Sequence, residues 1–210
     1  MGGGVVIIGG GGHAKVVIES LRASGRTVSA IVDADPTPRT VLGVPVVGDD
    51  LKLAELRGQG LSSLFVAIGD NRLREKLGLK ARALGFTLVN AVHPSAILSP
   101  TAQLGEGVAI MAGVAINADS QVGDLAILNT GAVVDHDCRL GAACHLGPAS
   151  ALAGGVTLGE RAFLGVGARV IPGVTIGADT IVGAGGVVVR DLPDGVLALG
   201  VPAKIKGDRR

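Results

Sequence analysis

A repeat of six residues, clearest in the middle of the chain, decides the fold. Residues 122–146 read VGDLAILNTGAVVDHDCRLGAACHL, with Leu or Val at every sixth position. The same period extends outward from this stretch, because every sixth residue from Val92 to Val188 is Leu, Ile or Val. A small or β-branched residue stands four places after the repeated aliphatic, as at Ala126, Ala132, Cys138, Cys144 and Ser150.

This period predicts a solenoid of short strands. It fits neither an α-helix nor a coiled coil, whose periods are about 3.6 and 3.5 residues. Strands that turn a corner every six residues close a triangular coil in threes, and such coils stack about 4.8 Å apart. Each coil then buries its aliphatic residues only against its neighbours. We therefore predict a left-handed parallel β-helix with Cys138 and Cys144 packed inside it.

The corners of this β-helix are expected at the residue after each repeated aliphatic. Gly, Asn or Asp recurs there, and these residues tolerate the backbone dihedrals of a tight turn. The set comprises Gly105, Asn117, Gly123, Asn129, Asp135, Gly141, Gly147, Gly159, Gly165, Gly177 and Gly183.

The bulk composition excludes several classes of protein. Aromatic residues make up only 1% of the chain and 35 residues are Gly, which favours a narrow aliphatic interior. The net charge of +1 gives no reason to expect a nucleic-acid or anionic-membrane partner. Two cysteines make no secreted disulfide framework, no apolar run reaches membrane-span length, and no signal peptide is evident. We expect a cytoplasmic protein with a solvated basic end, formed by Lys204, Lys206, Arg209 and Arg210.

The first half of the chain follows different rules and predicts a small, Rossmann-like α/β domain. Strands and helices alternate there, as in a parallel sheet. The predicted strands are Val5–Ile8, Val28–Asp33, Pro45–Gly48 and Leu64–Gly69, and the predicted helices are His13–Ser24, Asp50–Gly58 and Asn71–Gly85. We place this domain at residues 1–91, the β-helix at 92–190 and a C-terminal loop or tail at 191–210.

A glycine-rich loop follows the first predicted strand. Residues 9–14 read GGGGHA, which satisfies the dinucleotide pattern G-x-G-x-x-A, and Asp33 ends the next strand where a ribose-binding acid would lie. An NAD-dependent oxidoreductase is disfavoured, since about ninety residues hold one nucleotide-binding half and not two. A phosphate or nucleotide site at the helix N-terminus is favoured over glycines that serve helix packing alone. The loop around Asp70 and Asn71 ends another strand at the same predicted edge.

His136 is the candidate general base. In the six-residue register, His136 and His145 occupy neither inward position, so both side chains should project outward. Asp135 and Asp137 flank His136, and a neighbouring carboxylate orients an imidazole and stabilises its protonated form. A zinc site is disfavoured because it needs about three protein ligands, whereas the two histidines lie on different faces. No nucleophile grouping stands out, which favours direct transfer over a covalent intermediate.

The motifs together resemble a known family. The repeats resemble those of hexapeptide-repeat acyltransferases, and the paired N-terminal domain is similar to that of bacterial nucleotide-aminosugar N-acetyltransferases and the related sialic acid O-acetyltransferases. The resemblance runs from about Val5 to Lys204. It rests on residues 7–14 (IIGGGGHA), 66–71 (VAIGDN), 93–96 (HPSA), 128–130 (LNT), 134–138 (VDHDC) and 200–204 (GVPAK).

The resemblance implies a homotrimer with active sites between adjacent β-helices. It implies that the small domain binds a UDP- or GDP-linked 4-amino-4,6-dideoxyhexose. The glycine loop would hold the phosphates and Asp33 the base or ribose. Some relatives carry two successive acids where this chain has Asp33 and Ala34. The implied substrate-binding residues are Gly9, Gly11, Gly12, His13, Asp33, Asp70, Asn71 and Asn129.

The resemblance also implies roles in the β-helix. His136 would be the base that takes a proton from the sugar amine, with Asp137 as its acidic partner. His145 and the backbone N–H of Gly154, one coil above His136, would face the thioester carbonyl of acetyl-CoA. Val166 and Ala184, in one column with Pro148, would guide the pantetheine arm, and Lys204 would meet the coenzyme phosphates. No metal cofactor is implied.

Two alternatives stay open at this point. An O-acetyltransferase acting on a sugar hydroxyl, as of sialic acid, would use the same base and coenzyme. A non-catalytic, nucleotide-binding trimeric scaffold would need no base, and the acid-flanked, outward His136 counts against it. The glycine loop with Asp33 favours a nucleotide-linked acceptor, hence N-acetylation of an aminosugar.

Overall fold

The structure, a computed structural model, describes residues 3–208. Arg209 and Arg210 of the predicted basic end lie outside the described residues. The chain divides into two compact units, one ending at Pro94 and the other beginning at Ser95. Within residues 3–208, no helix has both the length and the apolar character required to cross a membrane.

The first unit is a six-stranded sheet with helices, as the alternating pattern predicts. The strands are β1 Val5–Ile8, β2 Val28–Val32, β3 Thr40–Val41, β4 Val44–Gly48, β5 Ser63–Val66, β6 Thr87–Leu88 and β7 Ala91–Val92, the last outside this sheet. The strand order of the sheet is β3-β4-β2-β1-β5-β6, parallel except for the β3–β4 hairpin. The helices are α1 Gly12–Ala23, α2 Leu53–Gly58 and α3 Asn71–Ala83, with a 3-10 turn at Asp50–Lys52.

The central strand β1 is buried, and the polar residues lie in the loops at one edge of the sheet. All four residues of β1 are buried, because strands flank it on both sides and helix α1 returns across the sheet. Because β1, β2 and β5 are parallel, their carboxyl ends lie at one edge of the sheet. That edge bears the glycine loop, Asp33 and the loop leading to Asp70.

The second unit is a left-handed parallel β-helix of two-residue strands. The strands are β8 Ile97–Leu98, β9 Gln103–Leu104, β10 Ala109–Ile110, β11 Ala115–Ile116, β12 Gln121–Val122, β13 Ile127–Leu128, β14 Val133–Val134, β15 Arg139–Leu140, β16 His145–Leu146, β17 Ala151–Leu152, β18 Thr157–Leu158, β19 Phe163–Leu164, β20 Arg169–Val170, β21 Thr175–Ile176, β22 Ile181–Val182 and β23 Val187–Val188. One face stacks β8, β11, β14, β17, β20 and β23, and a second stacks β9, β12, β15, β18 and β21. The third contains β10, β13, β16, β19 and β22.

The repeated aliphatics form the interior, as predicted. From Ile110 to Val188 every residue of the ladder is buried, whereas Leu98 and Leu104 at the start are partly exposed. The small position four residues on is buried from Val108 onward. Cys138 and Cys144 are fully buried free thiols, which confirms their predicted place in the core.

The predicted corner position is wrong by two residues. From Leu104 to Val182, left-handed backbone occurs at the third residue after each aliphatic, not the first, and includes the non-glycine residues Asp119 and Asp137. The glycines at the first position have a different role, because their backbone lies against the next coil. A Cβ on Gly141 would be 2.5 Å from the amide nitrogen of Glu160, and one on Gly159 would be 2.4 Å from that of Ala178. Close stacking, and not dihedral freedom, requires glycine there.

We expect Gly141→Ala to lower the free energy of unfolding by about 1–3 kcal/mol, because the backbone of the next coil must shift to admit the methyl group. Urea unfolding of the purified protein measures this change. Gly207→Ala is the control, since a Cβ there meets nothing within 4 Å. Equal unfolding midpoints for the two variants would contradict the stacking explanation.

The C-terminal segment corrects a second expectation. Part of the stretch 191–210, predicted as loop or tail, forms the antiparallel strands β24 Val196–Leu199 and β25 Lys204–Asp208. Strand β24 continues one face of the β-helix by pairing with β22. The six-residue pattern ends before β24, so the repeat alone does not reveal these strands.

Candidate active site

The glycine loop joins β1 to α1 and presents open backbone. Gly9 has φ +101°, and a Cβ there would lie 2.8 Å from the carbonyl oxygen of Ala67, so only glycine fits. Around Gly11 and Gly12 nothing lies within 4 Å of a Cβ position. Gly11 is the N-cap of α1 and, as glycine, has no side chain to cap this helix. An uncapped helix start beside open space suits an anion.

Asp33 lies next to this loop and is held by neighbours. Its carboxylate accepts the N–H of Gly10 and pairs with Arg39, with 3.2 Å between Nη2 and Oδ1. Burial would raise the pKa of Asp33, but hydrogen bonds from the Asp35 and Gly10 backbones and from Arg39 hold it below its ordinary value. Asp33 is therefore an anion at neutral pH. Sequence reasoning missed Arg39.

Asp70 and Asn71 begin helix α3 at the same sheet edge. The Asp70 carboxylate caps the helix by accepting the N–H of Leu73 at 2.8 Å. The amide oxygen of Asn71 accepts a hydrogen bond of 2.7 Å from Arg74. Arg74 is completely buried and also donates to the carbonyls of Ile68 and Gly69 at 2.9 and 3.1 Å. Nothing in the sequence of this polar helix start indicated that Arg74 would be buried and hold the loop before the helix.

His13 is the second residue of α1. Burial, together with the positive charge of Arg74, lowers the pKa of His13 to about 4, so the ring is neutral at physiological pH. Its Nε2 atom is shielded from solvent and has no hydrogen-bond partner among the described residues. A neutral ring nitrogen of this kind can donate to or accept from a ligand.

His136 lies at a corner of the β-helix with its side chain 61% exposed. Its Nδ1 atom is 2.7 Å from Oδ2 of Asp137, which places the proton of the neutral ring on Nδ1 and leaves the lone pair on Nε2. The left-handed backbone of Asp137, with φ +61°, carries its carboxylate to this position. The pair confirms the predicted outward histidine and its contact with the acid that follows it.

A further hydrogen-bond chain orders the same corner. The carboxylate of Asp135 accepts the backbone N–H of His136 at 2.8 Å and the side-chain amide of Asn117 at 2.9 Å. Asn117 stands one coil earlier, so the hydrogen bond ties two successive corners together. The repeat could have indicated it, since residues eighteen apart stack, but we did not predict it.

The neighbouring acids raise the pKa of His136. The hydrogen bond that Nδ1 donates to the Asp137 carboxylate contributes most, followed by the charge of Asp135. We expect Asp137→Asn to lower the pKa of His136, because the amide removes a charge that stabilises the imidazolium. NMR titration with labelled histidine measures this value in both proteins. An equal or higher pKa in the variant would contradict the assigned contact.

Gly154 stacks directly on the His136 ring. A Cβ on Gly154 would lie 2.6 Å from Cε1 and 2.7 Å from Nε2 of His136. The N–H of Gly155 donates to the carbonyl of His136 at 2.9 Å, which fixes the two coils in register. The structure thus confirms the predicted stacking of Gly154 on the coil of His136.

His145 and Asn129 form a second group, on another face of the β-helix. Nδ2 of Asn129 lies 3.3 Å from Nε2 of His145, whose ring meets Phe163 edge-on with 5.0 Å between centroids. Val166 and Ala184 are exposed and follow Pro148 at successive coils, joined by backbone hydrogen bonds. Lys204 is exposed on β25.

Cys138, the thiol two residues after His136, is buried in the core. Burial raises the pKa of Cys138, which keeps its thiol protonated and inert as a nucleophile. Its Sγ lies 3.3 Å from the carbonyl oxygen of Ala153. Within residues 3–208, no group of three His, Cys, Asp or Glu side chains is placed to hold a metal.

Comparison with known proteins relates both units to enzymes of one kind. Residues 4–80 match the PglD N-terminal domain family. The chain is 85% identical to perosamine N-acetyltransferase from Caulobacter crescentus over 98% of both chains, with a TM-score of 0.97. That crystal structure is of a histidine-to-asparagine mutant with CoA and GDP-perosamine.

Two further relatives are more distant. The acetyltransferase domain of PglB from Neisseria gonorrhoeae, solved with acetyl coenzyme A, is 41% identical, with a TM-score of 0.91 over 96% of this chain and 98% of that domain. UDP-N-acetylbacillosamine N-acetyltransferase from Bacillus subtilis is 42% identical over 111 residues, which are 51% of either protein. The matched stretch thus spans about half the length of the Bacillus enzyme.

Proposed function

Because this chain belongs to the hexapeptide-repeat nucleotide-aminosugar N-acetyltransferases, we propose that it transfers the acetyl group of acetyl-CoA to the amine of a GDP-linked 4-amino-4,6-dideoxyhexose. The observation that carries this proposal is the 85% identity, over nearly the whole chain, to an enzyme crystallised with CoA and GDP-perosamine. The acid-paired, outward His136 supplies the base that such a reaction needs.

The proposed transfer step uses the geometry at His136. The sugar amine attacks the thioester carbonyl while Nε2 of His136 takes a proton from the nitrogen. The resulting imidazolium is stabilised by Asp137, 2.7 Å from Nδ1. The carbon–sulfur bond then breaks, the amide forms, and the departing CoA thiolate takes up the proton from Nε2 of His136, which returns the ring to its neutral form. The N–H of Gly154 and the ring of His145 are proposed to stabilise the negative charge on the carbonyl oxygen.

Direct transfer is favoured over an acyl-enzyme. Cys138 is the thiol nearest in sequence to His136, but its side chain points into the core and its pKa is raised. A protonated, buried thiol is a poor nucleophile. The acetyl group therefore passes to the amine in one displacement sequence.

The first unit is proposed to bind the nucleotide. The uncapped start of α1 at Gly11 and Gly12 would receive the diphosphate, together with Gly9 and the neutral His13. Asp33 stays ionised and would accept hydrogen bonds from the base or ribose. Asp70, Asn71 and Asn129 are proposed to contact the sugar.

The coenzyme is proposed to follow the exposed corner column of the β-helix. Val166 is 54% exposed, which offers apolar surface to the pantetheine arm beside Ala184. Lys204 would meet the coenzyme phosphates.

The proposal includes assembly and location. We propose a homotrimer with active sites between adjacent β-helices, because a neighbouring β-helix would shield the exposed His136 from water. Two reduced, buried cysteines accord with the cytoplasm. An aminosugar product accords with polysaccharide biosynthesis.

A thiol-release assay with acetyl-CoA tests the acceptor class. We expect turnover with GDP-linked 4-amino-4,6-dideoxyhexose, weaker turnover with the UDP- and dTDP-linked aminosugars, and none with sialic acid. Turnover with sialic acid alone would replace the proposal by O-acetylation. Failure of every acceptor tested to cause thiol release would overturn the proposal.

A further inference from the structure

Arg74 holds the loop between β5 and α3 at the edge of the sheet in the first unit. Its guanidinium donates to the carbonyls of Ile68 and Gly69 and to the side chain of Asn71, at 2.7 to 3.1 Å. Arg74 is 0% exposed although it lies in the first turn of an otherwise polar helix. An arginine is buried at high cost unless its donors are satisfied, so this arrangement is specific.

The turn that Arg74 holds touches the glycine loop. At Gly9 a Cβ would meet Cδ1 of Ile68 at 2.7 Å and the carbonyl oxygen of Ala67 at 2.8 Å. The Ile68 side chain of the turn and the Ala67 carbonyl before it therefore lie close to Gly9. Displacing the turn would disturb Gly9, which precedes the N-terminus of α1 and the open positions of Gly11 and Gly12.

The same guanidinium also acts on His13. Its positive charge adds to burial in lowering the pKa of His13, so that the ring stays neutral. The Nε2 atom of that ring is buried and has no partner among residues 3–208. The hydrogen bonds and the charge of Arg74 thus converge on the edge proposed to hold the nucleotide sugar.

We propose that Arg74 is a positioning residue for the nucleotide-linked acceptor, holding Asn71 and the Ile68–Gly69 turn in the geometry that the sugar diphosphate requires. This inference rests on the proposed function. In this role Arg74 does not touch the acceptor itself and acts through the groups that it holds. It should therefore govern acceptor binding, with little effect on acetyl-CoA or on the chemical step.

Two variants separate the geometry of Arg74 from its charge. Arg74→Lys keeps the charge but cannot donate to three acceptors through a planar fork, whereas Arg74→Gln loses both. We expect each to raise the acceptor KM about tenfold or more, with kcat and the acetyl-CoA KM within about twofold. By NMR, the pKa of His13 should rise in Arg74→Gln and stay low in Arg74→Lys. Lys76→Gln, an exposed change on the same helix, should alter none of these values.

Failure of the proposed function and failure of the Arg74 inference give different results. If the wild-type protein acetylates no nucleotide-linked aminosugar, the proposed function fails and this inference fails with it. If the wild-type protein is active but the acceptor KM of Arg74→Lys is unchanged, the inference alone is overturned. A parallel rise of both KM values with a lower thermal midpoint would also overturn it, by revealing a purely structural role. If Arg74→Gln does not fold, the KM values of Arg74→Lys decide.

Discussion

We expect His136→Ala to lower kcat/KM for acetyl transfer by about two to four orders of magnitude, the usual contribution of a general base. Asp137 orients this ring through a 2.7 Å contact and stabilises its protonated form. Steady-state kinetics with acetyl-CoA and the GDP-linked aminosugar measure the loss.

The loss should be confined to catalysis. His136 is exposed, so its removal should leave the free energy of unfolding nearly unchanged. Binding of CoA, followed by calorimetry, should also persist. His93→Gln is the matched control and should retain full activity. Activity of His136→Ala within tenfold of the wild type would remove His136 from the proposed mechanism.

Gly154→Ala should lower kcat about 100-fold, since displacing a catalytic group by about 1 Å has an effect of this size. The new methyl group would lie 2.6 and 2.7 Å from Cε1 and Nε2 of His136, so the ring must rotate away. Gly154 has no left-handed backbone, so alanine brings no dihedral strain. Kinetics and thermal unfolding of the same preparation measure both effects.

The contrast with other glycines makes this prediction specific. At Gly141 the obstacle is backbone, so stability should fall, whereas at Gly154 it is an exposed side chain that can move. The folded state of Gly154→Ala should therefore be nearly as stable as the wild type. Gly58→Ala, where nothing lies within 4 Å of a Cβ, should preserve both activity and stability. A fully active Gly154→Ala would contradict the assigned position of the ring.

The β-helix could be predicted closely because its repeat specifies side-chain direction. A period of six assigns every residue to the interior, a face or a corner, so buried Cys138 and outward His136 follow from counting. The dihedrals of the corner do not follow, because glycine serves both left-handed turns and close stacking. The structure separates the two roles. A Cβ on Gly141 would meet the backbone of Glu160 in the next coil, whereas Gly155 has left-handed backbone with φ +69°.

The site in the first unit was less predictable. Its glycine loop and Asp33 follow a recognisable spacing, but the residues that hold them do not. Arg39 and Arg74 read as ordinary surface charges, because nothing in a helix or loop sequence marks an arginine for burial. Asp70 is a predicted sugar-site residue. Its carboxylate also caps helix α3 by accepting the N–H of Leu73, and only the structure reveals this hydrogen bond.

The most direct test of the central claim is one reaction of purified protein, acetyl-CoA and GDP-linked 4-amino-4,6-dideoxyhexose, followed by NMR of the product and mass spectrometry of the intact protein. We predict an N-acetyl amide at the sugar amine, one CoA thiol released per amide formed, and unmodified protein. An O-acetyl ester, an acetylated protein or an unchanged sugar would contradict direct N-acetyl transfer.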